Sequence, residues 1–159
     1  MKFDGIHEKT FLIIKPDGVQ RGLVGEVLRR LELKGLKLVG LKMMRLDEAI
    51  LREHYAHIAG KPFYPSVEAF MKSDPVVVLC VEGKDAVAAV CTITGVTNAA
   101  KADAGTIRGD FAMGMSNVVH RSDSIENAKQ EVTRFFKDEE IFEYDKTEYM
   151  HVYMQDERV

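Results

Sequence analysis

The chain has 159 residues and a mass of 17.9 kDa, a length that suits a single domain over residues 1–159. With 46% apolar and 30% charged residues it can build a core, which excludes an intrinsically disordered chain. A formal charge of −3 argues against a dedicated nucleic-acid binder, and no apolar run approaches the roughly 18 residues of a membrane span.

Residues 1–8 read as a loose polar lead without the apolar stretch of a secretory signal, so a cytoplasmic protein is expected. Thr10 to Lys15 is a short apolar run of β-formers, a buried strand. Pro16-Asp17-Gly18 makes a turn, because proline fixes φ and glycine tolerates positive φ. From Gln20 to Lys34, Leu23, Val27, Leu28 and Leu31 recur at helical spacing, and Gly35 stops the helix. Leu36 to Leu46 alternates in part and reads as a strand. Asp47 caps a helix reaching His57, and Gly60-Lys61-Pro62 breaks it. A short helix covers Ser66 to Lys72. Pro75 to Gly83 is the clearest central strand, and Asp85 to Ile93 is helical.

Gly95 to Ser116 holds four glycines and little periodicity, and long irregular segments in compact domains are usually functional. Asn117 to His120 is a short strand. Ser124 caps a helix to Phe136 with Ala128, Val132, Phe135 and Phe136 inward. A tail over 145–159 is irregular apart from an apolar segment near Tyr149 to Met154. This order suits a ferredoxin-like split βαβ sheet with helices on one face; a doubly wound parallel sheet competes with it.

No GxxxxGK[ST], GxGxxG, DFG or GxSxG is present, which closes the P-loop, protein-kinase and nucleophile-elbow routes. Cys80 and Cys91 make no CxxC pair or zinc set. His54 and His57, three apart on a helix, either face a common metal or are two partly exposed helical histidines. Lys15 leaves a buried strand into a turn, where it is either a solvated lysine or a phosphate ligand. Arg108 lies between glycines in Gly105-Thr106-Ile107-Arg108-Gly109-Asp110; it either grips an anion through its guanidinium or pairs with Asp110 at a tight turn. His120 closes a short strand, with Ser122 and Glu131 able to orient its ring as a nucleophile or base; a merely hydrogen-bonded strand-end histidine fits the same spacing.

Together, Lys15 through Gly22, the His54-Tyr55 pair, Pro62-Phe63, Gly105 through Asp110 and Asn117 through Ser124 (NVVHRSDS) resemble the nucleoside diphosphate kinase family, from about Thr10 to Tyr144. The resemblance implies a ferredoxin-like α/β (α+β) sandwich with a four-stranded antiparallel sheet covered by helices. It also implies ping-pong transfer of the γ-phosphate of a nucleoside triphosphate, commonly ATP, to a nucleoside diphosphate. His120 is then the phosphorylated residue, with Glu131 and Ser122 orienting it and Tyr55 beside it. Lys15 reaches phosphate and ribose, Asn117 the ribose, Arg108 and Thr97 the phosphates, and Phe63 stacks on the base. Mg²⁺ comes with the nucleotide phosphates and not through a protein metal site. Partners are nucleotides and further copies of the chain, a hexamer ahead of a tetramer, with neither membrane nor specific nucleic acid.

The sequence also departs from the family. Cys91 stands where the family usually has a second phosphate-binding arginine, and Arg121 stands beside the histidine where it often has a small residue, which makes Arg121 a candidate replacement cation. The long loop lacks the common prolines, and the stretch between Asp110 and Asn117 is one residue short. An alternative follows from Cys91: a nucleotide-binding relative with weak or no turnover. Cys91 itself reads as a buried helical cysteine, and Met150, Val152 and Met154 as material for a subunit interface or for packing onto the chain's own core.

Overall fold

The computed structural model of the chain describes residues 7–157. Most of the expected polar lead lies outside the described residues. Its last member, Glu8, instead opens strand β1 (Glu8–Ile14) and is buried, its carboxylate accepting the Val87 amide at 2.8 Å. The elements follow as α1 (Pro16–Gln20), α2 (Val24–Leu33), β2 (Lys37–Met44), α3 (Glu48–His54), α4 (Tyr64–Lys72), β3 (Val76–Gly83), α5 (Ala86–Thr94), α6 (Ile107–Phe111), β4 (Val119–Arg121), α7 (Ile125–Phe135) and α8 (Tyr149–Val152).

All three strand pairings are antiparallel and the strand order is β2-β3-β1-β4, the split βαβ arrangement, so the parallel alternative falls. Every residue of β1 and β3 is buried, because these central strands are covered on both faces. Leu12, Ile14, Val77 and Leu79 pack under α2 and α5. Phe11, Ile13, Val78 and Cys80 pack under α3, α4 and α7, whose Leu51, Met71, Val132 and Phe135 close that side. The expectation of helices on one face is therefore corrected. The continuous apolar run of β1 carries two hydrophobic faces, and each needs a cover.

Several boundaries also differ. The turn at Pro16-Asp17-Gly18 is one short helix, because proline at its first position already has helical φ and lacks an amide that needs a partner. Asp47 does cap α3, accepting the Ile50 amide at 2.9 Å, but that helix ends at His54 rather than His57. Ser124 caps α7 through the Asn127 amide. The irregular stretch contains α6, whose Thr106 hydroxyl caps the Gly109 amide at 3.0 Å. A side chain on Gly109 has no room, since its Cβ falls 2.0 Å from the Asp103 carbonyl oxygen. Arg30 of α2 staples this loop by donating to Asp110 at 2.7 Å and to the Gly105 carbonyl at 3.0 Å. The tail wraps the β2 end of the sheet: Tyr144 donates to the Leu38 carbonyl at 2.7 Å, and Lys146 to that of Leu36 at 2.9 Å. Met150, Val152 and Met154 are all exposed, although Val152 also sits over Gly35.

Candidate active site

β4 is an edge strand of three residues, and its register against β1 decides where the chemistry goes. His120 opposes Ile13 and shares the sheet face covered by α3 and α7. Helix α7 then supplies Glu131. Ala128, Glu131, Val132 and Phe135 form its buried stripe, so a carboxylate occupies a position that periodicity would fill with an apolar side chain. Glu131 Oε1 lies 2.9 Å from His120 Nε2, and its Oε2 accepts the hydroxyl of the buried Ser122 at 2.5 Å. A carboxylate can only accept, so the ring proton sits on Nε2 and the Nδ1 lone pair is left free. Among the described residues Nδ1 has no hydrogen-bond partner, and the ring is 22% exposed.

His54 packs its ring edge-to-face on His120 at 4.5 Å between centroids. It is buried with no hydrogen bond to either ring nitrogen, its Nδ1 lying 3.6 Å from Glu131 Oε1, and burial together with neighbouring His120 pushes its pKa down to about 2. It is a neutral wall against the His120 ring. The sequence allows His54 and His57 either a common metal or two partly exposed helical positions; in the structure His54 turns inward, and His57, past the end of α3, is exposed and lines the cleft. His54, His120 and Glu131 bring three ligand-type atoms within 4.8 Å, but the Nε2–carboxylate hydrogen bond occupies two of them. Tyr55, also buried, lies 6.3 Å from His120; burial and the Glu131 carboxylate raise its pKa, which keeps it a phenol.

The histidine opens onto a cleft of about 630 Å³, within the usual range for small-molecule sites. Lys15, Tyr55, Phe63, Thr97, Arg108, Asn117, His120 and Glu131 all line it. Ser122 does not; it stands behind Glu131. Lys15 donates to Asn117 Oδ1 at 2.7 Å, and Asn117 Nδ2 donates to the Thr97 carbonyl at 2.7 Å, so one relay links a strand end, the long loop and the entry to β4. Thr97 contributes that carbonyl and lines the cleft. Phe63 is 54% exposed at the rim.

Arg108 does not pair with Asp110, which goes to Arg30 instead. It is buried, and among the described residues its guanidinium donates only to main-chain carbonyls, Gly95 at 2.9 Å and Val119 at 2.8 Å. Its charge is thus held rigidly and left without a carboxylate. Burial and the nearby Arg121 push its pKa down to about 10. Burial and Arg108 likewise push Lys15 down to about 8, against the opposing pull of Asp17. Among the described residues Lys15, Arg108 and Arg121 make no salt bridge, and cations crowded together in this way make a site that favours a polyanion.

Two supports were not anticipated. Val118 has φ +69°, a costly conformation for a β-branched residue. It is held there because its amide donates to Asp17 Oδ2 at 3.0 Å and its carbonyl accepts the Lys15 amide at 2.8 Å. Gly18 leaves room for this turn: a Cβ there falls 2.8 Å from Ile14 and 3.1 Å from Val118. Asp17 is therefore a positioning residue for Asn117 and His120, and only its place in the Lys15–Gln20 run could have signalled it. Cys91 is half-buried rather than buried, and its thiol points at the Ser122 carbonyl at 3.8 Å.

An imidazole with one nitrogen buttressed by a carboxylate and the other facing a cationic cleft, on an antiparallel ferredoxin-like sheet, defines the class: a site built for covalent chemistry on a polyanion. Comparison with known proteins narrows the class. The family model for nucleoside diphosphate kinase matches residues 8–141. A nucleoside diphosphate kinase of Parabacteroides distasonis is 50% identical over 94% of this chain and 99% of that protein. One from Saccharomyces cerevisiae is 46% identical over 92% of this chain and 97% of its own. The solved structure of a halophilic nucleoside diphosphate kinase from Halobacterium salinarum in complex with CDP superimposes with a TM-score of 0.90 at 43% identity, covering 93% of this chain and 99% of that one. The chain belongs to the nucleoside diphosphate kinase family.

Proposed function

We propose that the protein transfers the γ-phosphate of a nucleoside triphosphate to a nucleoside diphosphate by a ping-pong route through phosphorylated His120. The observation that carries this reading is the free Nδ1 of a ring whose Nε2 is committed to Glu131. The Nδ1 lone pair attacks the γ-phosphorus, the bond to the β-phosphate oxygen breaks, and the diphosphate leaves with that electron pair. Glu131 stabilises the positive charge that the ring gains, and Ser122 fixes the carboxylate. A second nucleoside diphosphate then attacks the phosphohistidine with a terminal oxygen, and the nitrogen recovers its lone pair. One cleft serves both halves, which is the use of a covalent intermediate.

Lys15 and Arg108 neutralise the phosphates, Thr97 contacts them from the loop, Asn117 and Lys15 hold the ribose, Phe63 stacks on the base and Tyr55 flanks the ring. Stacking and ribose contacts ignore base identity, so broad nucleotide specificity follows. The carboxylates lining the cleft, Glu131 and Asp123, are engaged by Ser122 and His120 and by Asn127. Mg²⁺ therefore enters as part of the substrate, on the phosphate oxygens. The alternative of a binding module disabled at Cys91 finds no support, since relatives sharing about half the residues carry the kinase name.

The same reading takes the chain as one domain working in the cytoplasm as a homo-oligomer, a hexamer ahead of a tetramer. Exposed Leu41 and Met43 on edge strand β2 and exposed Met150 and Met154 in the tail supply apolar surface for such contacts. No helix among the described residues is long and apolar enough to cross a membrane. Native mass by light scattering decides the assembly.

The test is incubation with γ-labelled ATP and Mg²⁺. The protein gains acid-labile label, and added GDP discharges it as labelled GTP. Protein that binds ADP yet stays unlabelled overturns the assignment.

The pKa of Lys15 gives a second expectation. In the free site the amine loses its proton near pH 8, and bound phosphate favours the charged form. ADP affinity is therefore highest below that value and falls as pH rises through it. Titration calorimetry between about pH 7 and 9.5 reads the break, and Lys15→Arg removes it because arginine stays charged throughout that range. A flat profile for the unaltered protein would mean that Lys15 does not touch phosphate.

A further inference from the structure

Arg121 plays no part in the mechanism above, yet its place is unusual. It follows His120 on β4, opposes Leu12, and so leaves the strand on the opposite sheet face, the one covered by α5. It nonetheless lines the same cleft, because β4 is the sheet edge and both of its faces open there.

Three observations point to an anion at its guanidinium. Arg121 Nε is sealed from solvent with no partner, a condition that buried donors rarely keep, and Arg108 Nε shares it. Among the described residues neither arginine makes a salt bridge; Arg121 makes one long bond to the Ser122 carbonyl, at 3.4 Å. Two guanidinium groups are thus held near one another in a cleft that also holds Lys15, an arrangement that repels itself until an anion sits between them. Finally, Cys91 of α5 aims at the same Ser122 carbonyl, so positions 91 and 121 converge on one spot from helix and strand. A small residue at 91 leaves that spot to the longer side chain.

We propose that Arg121 binds the phosphate chain of the nucleotide, clamping it from the α5 side opposite Lys15, in space that the short Cys91 side chain leaves open. The fork geometry of guanidinium matches two phosphate oxygens, and its unpartnered N–H groups gain acceptors on binding. The proposal rests on the nucleotide reading given above, and its test uses equilibrium binding so that the two can fail separately.

The probe is Mg²⁺-ADP, titrated calorimetrically, with adenosine in a competition titration as the phosphate-free control. Arg121→Ala weakens ADP about 10- to 100-fold, the usual effect of losing a charged hydrogen bond, and leaves adenosine within about twofold. Cys91→Arg added to Arg121→Ala recovers most of the lost ADP affinity, because a side chain from 91 reaches the same place. Thermal midpoints without ligand confirm that each variant folds. Less than threefold weakening of ADP, or equal weakening of adenosine, overturns the proposal; a double variant no better than the single one overturns the shared position. If the unaltered protein takes no label from ATP, the phosphotransfer reading falls, while the ADP titrations still decide Arg121.

Discussion

Replacing His120 with alanine stops phosphoryl transfer and leaves nucleotide binding almost intact. The side chain lost is the acceptor itself, so the expected fall in turnover is on the order of 10⁴-fold or more, as for other covalent nucleophiles. Binding survives because the contacts proposed for the nucleotide belong to other residues: Lys15 and Asn117 through their relay, and Arg108 through two carbonyls that do not depend on the imidazole. The fold survives as well. The ring is 22% exposed, and Ser122 still occupies Glu131. Steady-state turnover and the ADP dissociation constant, measured on one preparation, check this. An alanine variant that still takes up acid-labile phosphate means that another group is the acceptor, with His54 the first to examine since neither of its nitrogens is hydrogen-bonded.

Glu131→Gln is the second large effect, and it falls on rate rather than affinity. The carboxylate makes two bonds, to His120 Nε2 and to Ser122. Glutamine keeps the shape and one acceptor, but it removes the negative charge that offsets the charge appearing on the ring. Its amide can also donate to Nε2, which moves the ring proton to Nδ1 and blocks the attacking atom. Phosphorylation should slow by about 10²- to 10³-fold, the scale of losing one preorganised electrostatic partner. ADP affinity should stay within about twofold. Rapid-quench labelling separates the two quantities, and equal losses in both would make Glu131 a packing residue. Ser122→Ala should show a milder form of the same pattern, because it frees the carboxylate without discharging it.

Much of the fold was legible because its central strands are written as apolar runs. Thr10 to Lys15 and Pro75 to Gly83 lie within two residues of β1 and β3 at each end. The stripes in α2 and α7 could be read for the same reason: spacing reports a buried face wherever a helix has only one. What periodicity could not show was which side of the sheet each helix covers, since α3, α4 and α7 against α2 and α5 is a choice made by connections. The five-residue α1 escaped, and the short strand expected over 117–120 forms two residues later as β4. Both are fixed by tertiary hydrogen bonds, such as Lys15 to Val118 and Ser122 to Phe11, that no local pattern records.

The proposed site residues are legible as motif positions, and they lie together at one cleft with Ser122 behind. Their supports were not found. The alternation of Val118 and Val119 looks like ordinary strand, and nothing in it signals a left-handed backbone at Val118. The neutrality of His54 needs burial on all sides, and the pairing of Asp110 with Arg30 rather than Arg108 needs α2 brought against the loop.

The three residues of β4 carry a consequence of their own. His120 and Arg121 are sequence neighbours that leave the backbone in opposite directions, and their division of labour is a matter of parity. Sliding this segment by one position would present the imidazole to α5 and the guanidinium to Glu131, exchanging the proposed acceptor and the proposed clamp at a stroke. Main-chain bonds lock the segment at either end, from the Lys15 amide to the Val118 carbonyl and from the Ser122 amide to the Phe11 carbonyl. An insertion of one residue between Asn117 and His120 would thus silence the enzyme with every side chain still present, whereas an insertion of two would restore the facing and misplace only the reach.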